Sequence, residues 1–429
     1  MTLSWLQIVR LGLVQMCLGA IVVLTTSTLN RLMVVELALP AVLPGFLVAL
    51  HYGIQITRPS WGFMSDTKGQ RTRFIIGGMV VLALGGLGAA AGVLVLEHSF
   101  WPGLLLSILA YVLIGLGVAA SGTSLLALLA TATASERRGA AATITWLMMI
   151  AGIAATAGTV GAFLDPYTPA LLMKIVAIVT GTAVVLTTLT VWGIERRVIS
   201  RREPDEMPFR EGFKEVWAER RARIFTLFVF LSMSAYFMQE LILEPYSGLV
   251  FGFTPGQSTS LSGAQNGGVL IGMILVGLST SVFRVGSLRS WVIAGCLGSA
   301  ASLSLIAGMG NFGSHLPFMP AVVLMGFFNG MFAVAAIGAM MALAGEGRSE
   351  REGTRMGLWG AAQAIAAGMG GLLGAAAADG LRQIMDDAPA FGCVFLAEAV
   401  LFVLSAWMAL RIMDSNRPTT ESAGLVPGE

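Results

Sequence analysis

Apolar residues run along the chain in stretches of about 20, the length an α-helix needs to cross a hydrocarbon core of roughly 30 Å. Twelve such spans are predicted, near residues 11–30, 40–62, 74–96, 103–130, 141–164, 170–194, 224–250, 263–283, 290–309, 318–344, 356–378 and 391–411. Composition fits this pattern: 56% of the 429 residues are hydrophobic and 12% charged, roughly half the charged share of a soluble domain. The 53 glycines suit close helix contact in lipid, where small residues let backbones approach.

The net charge of +2 matters less than where the 26 Lys and Arg stand. With the N-terminus inside, all but Arg31, Lys174 and Arg382 fall at cytoplasmic ends or in cytoplasmic loops. This asymmetry predicts an even number of spans with both termini cytoplasmic. The first apolar stretch lacks a cleavage site followed by a polar mature region and reads as a retained helix. Cys17, Cys296 and Cys393 lie within spans, without metal-ligand spacing, and read as small packing residues.

Residues 195–223 interrupt the hydrophobic pattern with nine cations and seven anions, which marks a boundary. The expected organisation is a six-helix bundle over 1–194, a cytoplasmic linker over 195–223, a second six-helix bundle over 224–412 and a cytoplasmic tail over 413–429. The linker is expected at the cytoplasmic face, held there by its basic residues. The halves repeat. Glu136, Arg137 and Gly139 correspond to Glu350, Arg351 and Gly353 at a shift of 214, while Trp146, Gly158 and Gly161 match Trp359, Gly371 and Gly374 at 213. Duplicated six-helix units point to an all-α membrane protein of the major-facilitator type, two pseudo-symmetric bundles with a cavity between them. The loop after span two carries Gly62, Asp66, Gly69 and Arg71, which resembles that fold's cytoplasmic signature. Gly62 permits close packing, Asp66 can cap a helix or pair with an Arg, and Gly69 turns the chain. The equivalent segment in the second half, Gly277 to Gly286, has Ser281 where the acid would stand.

Charges inside spans are costly unless they face a cavity or a partner, so each is a candidate site. His51, Gln55 and Arg58 fall at i, i+4 and i+7 and line one face of span two. His51 can act as an axial ligand to a magnesium porphyrin, as a proton relay, or as a packed polar residue satisfied by a neighbouring helix. Span seven carries Tyr236, Glu240 and Glu244 at spacings of four, and Arg31 and Glu36 stand at the matching end of span one. One reading pairs Arg31 with Glu240 or Glu244 across the halves and so locks the outer face; the other leaves all four in the wet headgroup zone. Glu398 reads either as a cavity acid or as an interhelical hydrogen-bonding group. Trp61 and Trp146 read as interface anchors or packing residues.

Two runs are more specific. LNRLMVVELALPAVLPGFLVALHYGIQITRPSWGFMSDTKGQRTRFIIGGM, residues 29–79, and MQELILEPYSGLVFGFTPGQST, residues 238–259, closely resemble the PucC/LhaA family, the bacteriochlorophyll-delivery branch of the major-facilitator superfamily. That family usually has Asp at the place of Glu240, a change that keeps the charge. The likeness covers nearly the whole chain. It implies a photosynthetic bacterium, a multi-pass protein of the inner (intracytoplasmic) membrane, and a role in assembling light-harvesting or reaction-centre complexes. Bacteriochlorophyll would be the delivered ligand rather than a tightly bound cofactor. Antenna polypeptides, reaction-centre complexes and pigment-biosynthesis enzymes would be the partners, besides the lipid bilayer. Some family members carry a bacteriochlorophyll synthase chain name through gene context, and the resemblance leaves membership of that branch open.

Catalysis is not expected. Prenyl transfer to a chlorophyllide needs a diphosphate held through Mg²⁺ by paired acids a turn apart, whereas the only close aspartates, Asp386 and Asp387, are adjacent and not on one face. Neither a Walker loop nor a Rossmann glycine pattern is present. No catalytic residue, metal site or nucleic-acid surface is assigned. The rival to an assembly factor is a proton-coupled secondary transporter of a small solute or pigment precursor, with His51, Arg58, Glu240 and Glu398 in its cavity.

Overall fold

The computed structural model describes residues 3–58, 61, 64, 71–134, 137–195, 217–281, 283, 285–312, 317–345 and 352–412. Among these it contains twelve principal helices: α1 (Trp5–Glu36), α2 (Val42–Ile54), α3 (Arg71–His98), α4 (Phe100–Ala132), α5 (Arg138–Phe163), α6 (Pro169–Val191), α7 (Arg220–Phe251), α8 (Pro255–Ser281), α9 (Leu288–Phe312), α10 (Phe318–Gly345), α11 (Glu352–Arg382) and α12 (Asp387–Ile412). Eleven are long and apolar enough to cross a membrane, and α2, continued by a 3₁₀ turn to Thr57, is the shorter twelfth. They form two six-helix bundles, each with its own apolar core. Outward-facing Leu84, Leu105, Val185, Leu189, Ile271 and Val400 leave the outer surface apolar, as lipid requires.

Local chemistry sets the helix ends. Ser4 and Gln7 form a capping box at the start of α1. Thr168 caps α6 ahead of Pro169. Gly252, at φ 70°, closes α7, with its N–H bonded to the carbonyl of Gly248 and that of Phe253 to Ser247. The N-terminus lies beside the end of α4, since the Leu3 amide donates to the Ala132 carbonyl at 2.8 Å. That end is called the termini end below, and the opposite one, with the α1–α2, α5–α6 and α11–α12 turns, the far end.

Helix α1 departs from α geometry twice, with π-helical turns at Leu24–Thr28 and Leu32–Glu36. Thr25 and Thr26 both donate their hydroxyls to the Val22 carbonyl and compete with the helical ladder there. A run of Thr-Thr-Ser-Thr thereby becomes a wide turn in the middle of a span.

The bundles meet along three pairs: α1 with α7, α2 with α11, and α5 with α8. The α5–α8 seam is backbone against backbone. A Cβ at Gly161 would stand 2.4 Å from the Ser260 nitrogen, and one at Gly263 2.5 Å from that of Gly158. Between lipid-embedded helices, such packing and polar contacts replace the water-driven hydrophobic effect.

Three expectations change. Helix α8 begins at Pro255 rather than near 263, because the polar run Ser258, Thr259 and Ser262 is buried against α1 instead of forming a loop. Helix α1 reaches Glu36 rather than 30 for the matching reason. The repeat also shifts by one residue. Gly161 faces α8 in the other half, whereas Gly374, its match at 213, faces Met238 of α7 in its own half. A slip of one residue turns a helix face by about 100°, and the contacts between halves repeat at 214. Gly161 meets Gly256, and Ala375, 214 positions on, meets Gly45. Likewise Trp146 packs at the α5–α8 seam while Trp359 is buried on Phe225 of α7.

Candidate functional site

Two polar layers stand between the bundles, and exposure separates them. On α7, Tyr236, Phe237, Met238 and Glu240 are partly accessible, whereas every residue from Leu241 to Ser247 is buried. On α1, Ala20 and Val22 are partly accessible and residues 23–34 are all buried. Helices α4 and α10, which flank the termini end, make no extensive contact among the described residues. The space between the halves is thus reached from the termini end and sealed toward the far end.

The first layer lies beside the accessible space, with His51 and Gln55 themselves buried. Along α2, Arg58 donates to the Gln55 Oε1, and the Gln55 Nε2 stands 2.6 Å from the His51 Nε2. With its oxygen turned to Arg58, the Gln55 amide presents its nitrogen to the ring, and the His51 Nδ1 has no partner among the described residues. His51 is 1% exposed, and its ring lies 4.7 Å from that of Tyr52. Tyr52 turns across the interface to Phe237 at 5.9 Å, and Phe237 meets Tyr236 at 5.2 Å. Glu240 lies one helical turn after Tyr236 on α7 and is partly accessible.

The one hydrogen-bond partner of His51 among the described residues is Gln55 on its own helix, not a residue of a neighbouring helix. Gln55 occupies the Nε2 side of the ring, so ligation through that nitrogen would require Gln55 to turn away.

The second layer is the seal. Ser27 donates to Glu244 and lies 2.8 Å from the Ser262 hydroxyl. Thr28 and Thr259 pair at 3.2 Å. Arg31 reaches the Phe253 carbonyl at 2.7 Å and the Ser258 hydroxyl at 3.2 Å, both in the second half. Its ion pair is with Glu36. The expected bridge from Arg31 to Glu240 or Glu244 is not formed among the described residues. The π-turn at Leu32–Glu36 brings i and i+5 together, so the guanidinium finds its acid on its own helix. Arg31 and Glu244 are buried, each 2% exposed, whereas Glu36 is exposed and Glu240 partly accessible.

One contact in the seal follows directly from covalent chemistry. Pro245 sits inside α7 and has no N–H, which leaves the Leu241 carbonyl without its i+4 donor. The Asn30 side-chain amide from α1 fills that place at 2.8 Å. The Leu241 side chain meanwhile packs into the core of the opposite bundle. Asn30 was missed from sequence; a proline four residues after a buried carbonyl was the available signal.

Gly62, Asp66 and Gly69 lie outside the described residues, as do Glu136, Glu350 and Arg351. Arg71 opens α3, where the Glu195 carboxylate accepts from the Arg71 and Thr72 amides at 2.9 Å each. Glu398 is fully buried in α12 and neither oxygen has a hydrogen-bond partner among the described residues. Asp165 and Asp379, each of which touches the opposite half, were missed from sequence.

Residues 28–417 match the family described as PUCC protein, which takes in nearly all of both bundles. The chain belongs to the PucC family. It is 68% identical to the bacteriochlorophyll synthase 44.5 kDa chain of Rhodobacter capsulatus, over 97% of each chain. It is 28% identical to protein PucC of Cereibacter sphaeroides, over 95% of this chain and 92% of the relative. Among solved structures it resembles an inward-facing, unoccupied bacterial homologue of the human lysosomal transporter Spinster, with a TM-score of 0.68 and 14% identity over 95% and 96% of the two chains. The nucleoside transporter NupG gives the same TM-score and identity over 95% and 99%. At that identity the likeness carries the fold: a PucC-family membrane protein with transporter-type architecture.

Proposed function

We propose that this protein delivers bacteriochlorophyll to newly inserted light-harvesting polypeptides and so supports assembly of photosynthetic complexes. The observation that carries this reading is the 68% identity, end to end, to a relative whose name ties it to bacteriochlorophyll. A transporter-type fold whose inter-bundle space is partly apolar and reached from one end suits a carrier of a large amphipathic ring. The charge asymmetry supports cytoplasmic termini in the inner, intracytoplasmic membrane. On that orientation the far end is periplasmic and the space opens to the cytoplasm. The division into bundles at 1–194 and 224–412, joined by the 195–223 linker, belongs to the same reading.

In this proposal Tyr52, Phe237 and Tyr236 provide an aromatic wall, and His51, Gln55 and Arg58 a polar stripe beside it. His51 takes the magnesium of the pigment only once Gln55 has turned away. Arg31, Glu36, Glu240 and Glu244 set the outer closure, with Gly62, Asp66, Gly69 and Arg71 at the cytoplasmic gate. The word synthase in the relative's name is read as genetic context rather than turnover, and a prenyl-transfer assay on purified protein that gave product would overturn that. The function itself is tested by deletion in the photosynthetic host. Loss of antenna absorbance with normal pigment synthesis supports delivery. Intact antenna, with solute flux in proteoliposomes that hold no pigment, would replace it by the secondary-transporter reading.

A further inference from the structure

At the far end, two aspartates cross between the halves to the starts of helices. The Asp165 Oδ1, in the turn after α5, accepts from the Gly256 amide in the first turn of α8 at 3.1 Å, and its Oδ2 accepts from the Thr254 hydroxyl. The Asp379 Oδ2, near the end of α11, accepts from the Val42 amide that opens α2 at 2.7 Å. Asp379 stands 214 residues after Asp165, and Gly256 the same 214 after Val42. The donor and acceptor sides of the contact are therefore both duplicated, in opposite senses: first half to second, and second half to first.

The chemistry is the same at both places. The opening turn of a helix presents N–H groups without intrahelical partners, and a carboxylate there satisfies one of them and meets the positive end of the helix dipole. Neither acid is buried in a core. Asp165 is exposed and the Asp379 side chain retains 15% accessibility, so water can replace each contact at modest cost. The surroundings keep them aimed: Thr254 holds one carboxylate, and Arg382, 3.6 Å from Asp379 and anchored by Asp387 at 2.6 Å, holds the other.

We propose that Asp165 and Asp379 are twin latches of the far-face closure, one on each flank of the α1–α7 seal, and that both release when the halves part at that face. The claim concerns the closure alone and does not depend on what the protein carries.

The test uses the full chain in mild detergent, with Cys17, Cys296 and Cys393 replaced and Thr259→Cys introduced as reporter. Thr259 is fully buried in the seal, so its reaction with a polar maleimide reads opening. Asp165→Ala and Asp379→Ala should each raise the labelling rate about fivefold, the effect of losing one cap, and the double variant should multiply the two to roughly 25-fold. Asp165→Asn and Asp379→Asn keep a capping acceptor and should label close to the parent. The Asn variants also guard against a folding artefact, since they report even if an Ala variant is not monodisperse. A double Ala variant that labels no faster than the parent or than the faster single overturns the proposal, and so do Asn variants that open as far as Ala.

Discussion

The seal contains a hydrogen bond that exists only because of a proline, which makes its contribution separable from the rest. Asn30→Ala removes the one side-chain donor to the Leu241 carbonyl among the described residues and leaves a buried acceptor unmatched. An unsatisfied buried group of this kind costs about 1–3 kcal/mol, which is on the order of 5- to 150-fold in an open–closed equilibrium. Pro245→Ala restores an N–H four residues after Leu241, so the helix can then satisfy its own carbonyl. In that background Asn30→Ala should cost little, and the double-mutant cycle should show a coupling of about 1 kcal/mol or more. Labelling of the Thr259→Cys reporter gives the four opening equilibria on one scale. Equal opening by Asn30→Ala with and without Pro245 would refute the argument that the proline-freed carbonyl is what Asn30 seals.

Other expectations follow from the same geometry. Gln55→Ala uncovers the His51 Nε2 and should increase retention of bacteriochlorophyll on the purified protein, an increase that His51→Leu abolishes; identical absorbance in parent, single and double variants would remove His51 as a ligand. Glu244→Gln keeps an oxygen for the Ser27 hydroxyl and should leave the melting temperature near that of the parent. Glu244→Ala removes that acceptor, leaves Ser27 only the Ser262 hydroxyl, and should lower stability by about 0.5–1.5 kcal/mol, and a Gln variant as unstable as Ala would contradict this. Gly161→Val drives a side chain into the Ser260 nitrogen and the Gly256 carbonyl, and should split the α5–α8 seam at a cost of about 1–3 kcal/mol or more in thermal unfolding. An unchanged melting temperature would mean that the seam yields.

The membrane fold was readable because lipid allows only continuous apolar helices to stand alone, and eleven of the twelve are long enough to register as such. The errors have one cause: hydropathy treats hydroxyls as loop. Ser258, Thr259 and Ser262 looked like the approach to a span, yet they are buried in the half of α8 that meets α1. The Thr-Thr-Ser-Thr run on α1 likewise concealed a π-turn, and a second one at Leu32–Glu36 paired Arg31 with Glu36 instead of with the acids of α7. Charged residues were easier to select than to pair, because a sequence shows that Arg31, Glu240 and Glu244 sit at depth but not which way a bulged helix turns them. Asp165 and Asp379 were accessible in principle through the 214-residue repeat, but the register taken from Trp146 and Trp359 was one residue short of it.

The most direct test of pigment delivery is an absorption spectrum of the protein purified in mild detergent from its photosynthetic host, with a gel of what accompanies it. The account predicts bacteriochlorophyll in near-stoichiometric amount, or antenna polypeptides on the gel. A colourless protein that purifies alone from cells making abundant pigment would contradict it.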